Sequence, residues 1–180
     1  FYREYDFLDT VRRAVASQAD ALADRNITLR EELPRGPLPA YGDSDRLSRA
    51  ILQLLDNAVK FTPEGGKVEV RLTSPPDETT ILLTVKDTGM GISADDLPRI
   101  FQRFFRTDRA RDRGGKTPGT GLGLSLVEAI ATKHGGTIEV TSEIDRGTYF
   151  GVRLPKWTGE TPRQSGTLSQ ELTSATIRGS

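Results

Sequence analysis

An alternating apolar run over residues 80–85 leads into Asp87-Thr88-Gly89-Met90-Gly91-Ile92, which places a carboxylate at the mouth of a strand with two glycines beside it. Backbone without side chains at that point lets a flat ligand come close. A second glycine run, Gly119-Thr120-Gly121-Leu122-Gly123-Leu124, opens an apolar-periodic stretch over residues 122–130. Bare N–H groups at the start of a helix are a natural seat for phosphate. A base held at one end and phosphates at the other suggest a nucleotide.

The rest of the chain supplies a scaffold for such a pocket. Phe7, Leu8, Val11, Ala14, Val15, Ala19 and Leu22 fall at three- and four-residue spacing, which predicts one amphipathic helix over residues 6–25. Residues 27–33 alternate as a strand, residues 34–39 turn, and Gly42-Asp43-Ser44-Asp45 offers the N-cap of a long helix ending near Lys60. Residues 67–72 and 80–85 read as paired strands. Ser93 caps a short predicted helix over 94–100. Residues 137–142 and 148–154 read as a hairpin around Asp145-Arg146-Gly147. At 180 residues and 35% hydrophobic content, the expectation is one domain over residues 1–155, followed by a disordered tail over 156–180 from which Trp157 packs back.

Charge and cysteine content narrow the partners. Twenty-five acidic residues balance twenty-five basic ones, so nothing global points to nucleic acid or an anionic membrane. No run reaches membrane-spanning length. With no cysteine, disulfides and thiolate metal sites are excluded.

The long helix carries two faces. Leu47, Ile51, Leu54, Leu55 and Ala58 form a core stripe, while Gln53, Asn57 and Lys60 lie roughly 120° round the axis. Two amides and a lysine one turn apart could ligate a metal and a phosphate. Read alone, such a face is more often solvated surface. Phe101, Phe104 and Phe105 border Arg103, Arg106, Arg109, Arg111, Arg113 and Lys116, opposed only by Asp108 and Asp112. That segment reads as a mobile basic loop hinged on the phenylalanines, although a solvated charge run is the commoner meaning of such a sequence.

Four stretches in order carry a resemblance. Leu54-Leu55-Asp56-Asn57-Ala58-Val59-Lys60-Phe61-Thr62-Pro63 resembles an asparagine box, and Asp87-Thr88-Gly89-Met90-Gly91-Ile92 a first glycine box. Ile100-Phe101-Gln102-Arg103-Phe104-Phe105-Arg106 resembles a phenylalanine box, and residues 119–124 a second glycine box. Together they are similar to the catalytic ATP-binding domain of bacterial sensor histidine kinases, in the superfamily that includes gyrase, Hsp90 and MutL. The resemblance implies a two-layer α/β sandwich of the Bergerat type, a mixed sheet with three helices on one face and an ATP lid. It also implies Mg²⁺ and ATP as cofactors. Partners would be a dimerisation and phosphoacceptor domain of the same protein and a response regulator, with no nucleic acid and no membrane contact by the domain. It would work in the cytoplasm, within a parent protein that can be anchored in the inner membrane.

By the same likeness Asp87 accepts from the adenine amine, Phe61 lies against the base, and Gly89, Gly91 and Ile92 shape that end. Lys60 and Arg106 meet phosphates, with Asn57 as the third catalytic residue. Gly119, Thr120, Gly121, Leu122, Gly123 and Leu124 wrap the phosphate chain, and Thr148 supports Asp87 or a water. Asn57 and Gln53 would hold Mg²⁺, with Gln53 standing where the family usually has asparagine. Gyrase- and Hsp90-type hydrolases carry a glutamate base at that point, and an amide cannot take a proton from water. A non-catalytic nucleotide-binding module and a serine kinase of the anti-sigma type are the other readings. His134, the only histidine, ends a helix and reads as structural, so the acceptor histidine would lie in another domain.

Overall fold

The computed structural model describes residues 1–75, 79–107 and 119–159. Five strands form a mixed sheet: β2 (Thr28–Glu32), β4 (Lys67–Thr73), β5 (Thr80–Asp87), β7 (Gly147–Pro155) and β6 (Thr137–Glu143), in that spatial order. β2 runs parallel to β4 and every other pairing is antiparallel. The predicted strands are thus recovered: β4, β5, β6 and β7 each run one or two residues longer than expected, and β2 is shorter, without residues 27 and 33. Alternation gives β4 a buried row, Val68, Val70 and Leu72, which faces the helices.

The helices α1 (Phe7–Ala16), α3 (Ser44–Phe61) and α4 (Gly123–Lys133) bury their apolar stripes in one core with the sheet. Leu47, Ile51, Leu54, Leu55 and Ala58 of α3 are all buried, as their spacing predicts. The opposite face of the sheet is charged: Arg71 bridges Glu32 at 2.7 Å, and Arg30 bridges Glu32 at 2.6 Å. The result is the two-layer α/β sandwich expected. Asp43 caps α3 by accepting from the Arg46 N–H at 3.1 Å.

Three expectations need correction. The single helix over 6–25 is two, α1 and α2 (Ala19–Asp24). Ser17 donates its hydroxyl to the Ala14 carbonyl at 2.7 Å and its N–H to Arg13 at 3.1 Å, closing α1 early. Gln18, at the break, instead reaches Asp56 of α3 at 2.8 Å. The helix over 94–100 is only a turn and a 3₁₀ segment, Leu97–Arg99, because Pro98 lacks the N–H a helix needs. Ser93 still accepts from the Asp96 N–H at 3.2 Å. Finally, β1 (Arg3–Asp6) and β3 (Pro39–Gly42) pair as a small antiparallel sheet, where residues 34–39 were expected only to turn and residues 3–5 carried no element.

Contacts with the domain continue past residue 155. Lys156 donates its N–H to Thr79 at 2.8 Å, and Trp157 stacks on Tyr41 with ring centroids 4.8 Å apart. The expected tail beyond residue 159 and the basic stretch with Arg109, Arg111, Arg113 and Lys116 lie outside the described residues.

At the C-terminal end of α3, Thr62 is fully buried and donates its hydroxyl to the Ala58 carbonyl at 2.6 Å. Thr62→Val keeps the shape and loses that bond. It is expected to lower stability by about 0.5–1.5 kcal/mol, read from urea unfolding midpoints at constant m-value.

Candidate functional site

A cavity of about 700 Å³ opens between α3, α4 and the ends of β5 and β7, within the range of small-molecule sites. The structure brings most of the sequence-selected residues into its wall. Gln53, Asn57, Lys60 and Phe61 come from α3, and Asp87, Gly91 and Ile92 from the end of β5 and the loop after it. Arg106, Gly119, Thr120, Gly121, Gly123, Leu124 and Thr148 complete the set.

Two selected residues stand outside the wall. Gly89 contributes instead its N–H, donated to Asp87 Oδ1 at 2.8 Å. Leu122 is 37% exposed at the N-cap of α4, where its carbonyl accepts from Ser125 and Leu126.

Asp87 is the buried anchor of one end. Its residue is 6% exposed, and Oδ1 accepts from the N–H groups of both Gly89 (2.8 Å) and Thr148 (3.2 Å). Oδ2 takes no hydrogen bond from the described residues. Burial pushes the carboxyl up to about 6, with the two N–H bonds opposing, and in its ionised form it is an acceptor only. Gly91 makes the tight approach there: its φ is +68°, and a Cβ would overlap the Glu143 carbonyl.

The other end is cationic. Lys60 lies 5.2 Å over the Phe61 ring, and its Nζ would be 2.7 Å from a Cβ at Gly119. Partial burial, then the neighbouring Arg106 charge, lower the Lys60 pKa, while Asp56 opposes. Two cations are thus held close in the cleft. Gly121, with φ +71°, packs on the Phe104 backbone and accepts the Phe104 N–H at 2.9 Å, which ties the phenylalanine segment to the second glycine run. Phe101 and Phe105 pack on the core, whereas Phe104 is 70% exposed with φ +65°.

Between the ends, Gln53 donates to Asn57 Oδ1 at a long 3.4 Å. A Cβ at Gly123 would overlap the Gln53 amide, so this side chain is seated against the start of α4. No group of three His, Cys, Asp or Glu side chains among the described residues could hold a metal alone. Amide oxygens with one weakly made bond nonetheless suit Mg²⁺, which takes few protein oxygens and fills its shell with phosphates and water.

Sequence reasoning missed two residues here. Arg25 lines the cavity and donates to the carbonyls of Lys60 (3.2 Å) and Thr62 (2.8 Å), gripping the backbone on both sides of Phe61. Ser142 accepts from the Ile92 N–H at 2.8 Å and touches Thr148. Each acts on residues far away in the chain, which no local pattern reveals. His134, by contrast, is used up structurally. Its Nδ1 bonds the Ile130 carbonyl at 2.7 Å, its Nε2 accepts from the Asp43 N–H at 3.0 Å, and Tyr2 stacks on it at 5.0 Å.

Comparison with known proteins gives a consistent picture. Residues 42–158 match the family described as histidine kinase-, DNA gyrase B-, and HSP90-like ATPase. The sensor histidine kinase RppB of Synechocystis sp. is 41% identical over 130 residues, which are 72% of this chain and 28% of RppB. The chain thus spans less than a third of that relative's length. Among solved structures, the mycobacterial sensor histidine kinase MprB superposes with TM-score 0.71 at 32% identity, covering 87% of this chain and 98% of that one. Full-length ShkA in complex with AMPPNP superposes with TM-score 0.73 at 28% identity, covering 89% of this chain and 32% of ShkA.

Proposed function

Because the chain belongs to the histidine kinase-, DNA gyrase B- and HSP90-like ATPase family, we propose that it binds Mg-ATP in the cavity and donates the γ-phosphoryl group to a histidine on a separate dimerisation domain. The observation that carries this reading is the polarity of the cavity, a buried carboxylate at one end and paired cations at the other. Asp87 accepts from the adenine amine, with Phe61 against the base. Lys60, Arg106 and the backbone of residues 119–123 meet the phosphates. Asn57 holds Mg²⁺, with Gln53 beside it, directly or through water. The ion supplies charge neutralisation on the phosphate oxygens.

Phosphoryl transfer asks little covalent chemistry of the protein, so positioning and charge stabilisation are the domain's tasks. Gln53 provides no base to activate water, which favours transfer over hydrolysis. His134 has both ring nitrogens engaged and is not the acceptor. The acceptor domain belongs to the same full-length protein, and a response regulator takes the phosphoryl group onward. In this proposal the domain works in the cytoplasm, within a protein that can be anchored in the inner membrane. No helix among the described residues is long and apolar enough to cross a membrane.

Mixing the domain with a separately supplied helical phosphoacceptor domain and γ-labelled ATP tests the reading. Acid-labile, base-stable label on the acceptor is expected. No label, or acid-stable label on a hydroxyl residue, would refute histidine transfer.

A further inference from the structure

We propose that Ser142 is a positioning residue that fixes the Thr148 hydroxyl as an acceptor, so that the base end of the cavity selects a purine with an exocyclic 6-amino group over a 6-oxo purine. The inference rests on the nucleotide reading above and adds a residue and a selectivity to it.

The argument is a proton count. A serine hydroxyl has one proton to give and two lone pairs to offer. Ser142 Oγ has three neighbours within bonding distance: the Ile92 N–H at 2.8 Å, the Gly147 carbonyl at 2.8 Å and Thr148 Oγ1 at 2.9 Å. The N–H can only donate and the carbonyl can only accept. Satisfying both places the serine proton on Gly147 and one lone pair on Ile92. The remaining lone pair then takes the Thr148 proton. Thr148, 7% exposed and in the cavity wall, has no second proton and keeps only acceptor capacity.

Thr148 also gives its backbone N–H to Asp87 Oδ1, which holds the residue that carries this hydroxyl next to the carboxylate. A 6-amino group meets lone pairs from both. A 6-oxo group would face them oxygen to oxygen, and a site's buried polar groups discriminate strongly when they cannot pair. Ser142 does this from the neighbouring strand β6, linking the first glycine run through Ile92 to the start of β7.

The test compares ATP and inosine triphosphate affinities by calorimetry for the parent, Ser142→Ala and Ser142→Thr, each checked for native circular dichroism. The parent should prefer ATP. In Ser142→Ala the Thr148 proton is released and can turn to a 6-oxo group, so the ATP-to-ITP preference should fall about fivefold. Ser142→Thr retains the hydroxyl and should keep the parent's preference. Equal weakening of both nucleotides by Ser142→Ala, or loss of preference in Ser142→Thr, would overturn the role of Ser142 while leaving ATP binding intact. A parent that binds neither nucleotide would instead overturn the nucleotide reading itself, and this inference with it.

Discussion

Replacing Asp87 with asparagine is expected to weaken ATP binding by about 1.5–3 kcal/mol, roughly 10- to 150-fold, in a domain that still folds. The fold should survive because Oδ1 carries both backbone bonds, from Gly89 and Thr148, and an asparagine oxygen can keep them. What changes is Oδ2, which becomes an NH₂ that opposes the adenine amine donor to donor and removes a charge-assisted bond. Calorimetry on the two proteins reads the loss.

The same site gives a pH dependence. Because burial raises the Asp87 carboxyl from 3.8 to about 6, the folded protein holds this proton where the unfolded chain has released it. In the empty domain this group's contribution therefore turns unfavourable as pH rises from about 4 to about 6, and stays so above. Nucleotide binding runs the other way, since the amine needs the ionised acceptor. The parent's advantage over Asp87→Asn should be full well above pH 6 and shrink as pH falls through it. An advantage independent of pH would show that Asp87 does not titrate in the site.

The second large effect concerns magnesium. Asn57→Ala should nearly abolish the Mg²⁺ dependence of ATP affinity, because it removes the side chain proposed to hold the metal. Loss of supporting groups around a metal already weakens it about 10–100-fold, and loss of a direct ligand should do at least as much. Gln53→Asn should act mildly. Gln53 is one methylene longer than asparagine, rests against Gly123 and turns its amide toward Asn57. Shortening it brings an oxygen nearer the octahedral geometry Mg²⁺ demands and should modestly strengthen the dependence. ATP affinity against Mg²⁺ concentration for the three proteins decides this. Full dependence retained in Asn57→Ala would leave that helix face with no metal role.

Legibility in the sequence followed the physics of each feature. Strands β4, β5, β6 and β7 and helix α3 carry strong hydrophobic periods, and burial in the structure follows those periods. β1 and β3 are four residues each, too short for a period, and exist through pairing such as Tyr5 with Ala40. The break at Ser17 depends on one hydroxyl competing with the backbone, a choice that helical spacing does not record. At the site, Asp87 was readable because a carboxylate between a strand and two glycines is a local pattern. Arg25 and Ser142 were not, since their partners at Lys60, Thr62 and Ile92 lie 35 to 50 residues away. Gly89 and Leu122 belong to readable boxes, yet a box does not say which members face the cavity and which hold the backbone.

A structure of the domain with Mg²⁺ and a non-hydrolysable ATP analogue is the most direct measurement of the central claim. The account predicts the adenine amine within about 3 Å of Asp87 Oδ2 and the phosphates between Lys60, Arg106 and the backbone of residues 119–123. A base bound away from Asp87, or a nucleotide outside the cavity, would contradict it.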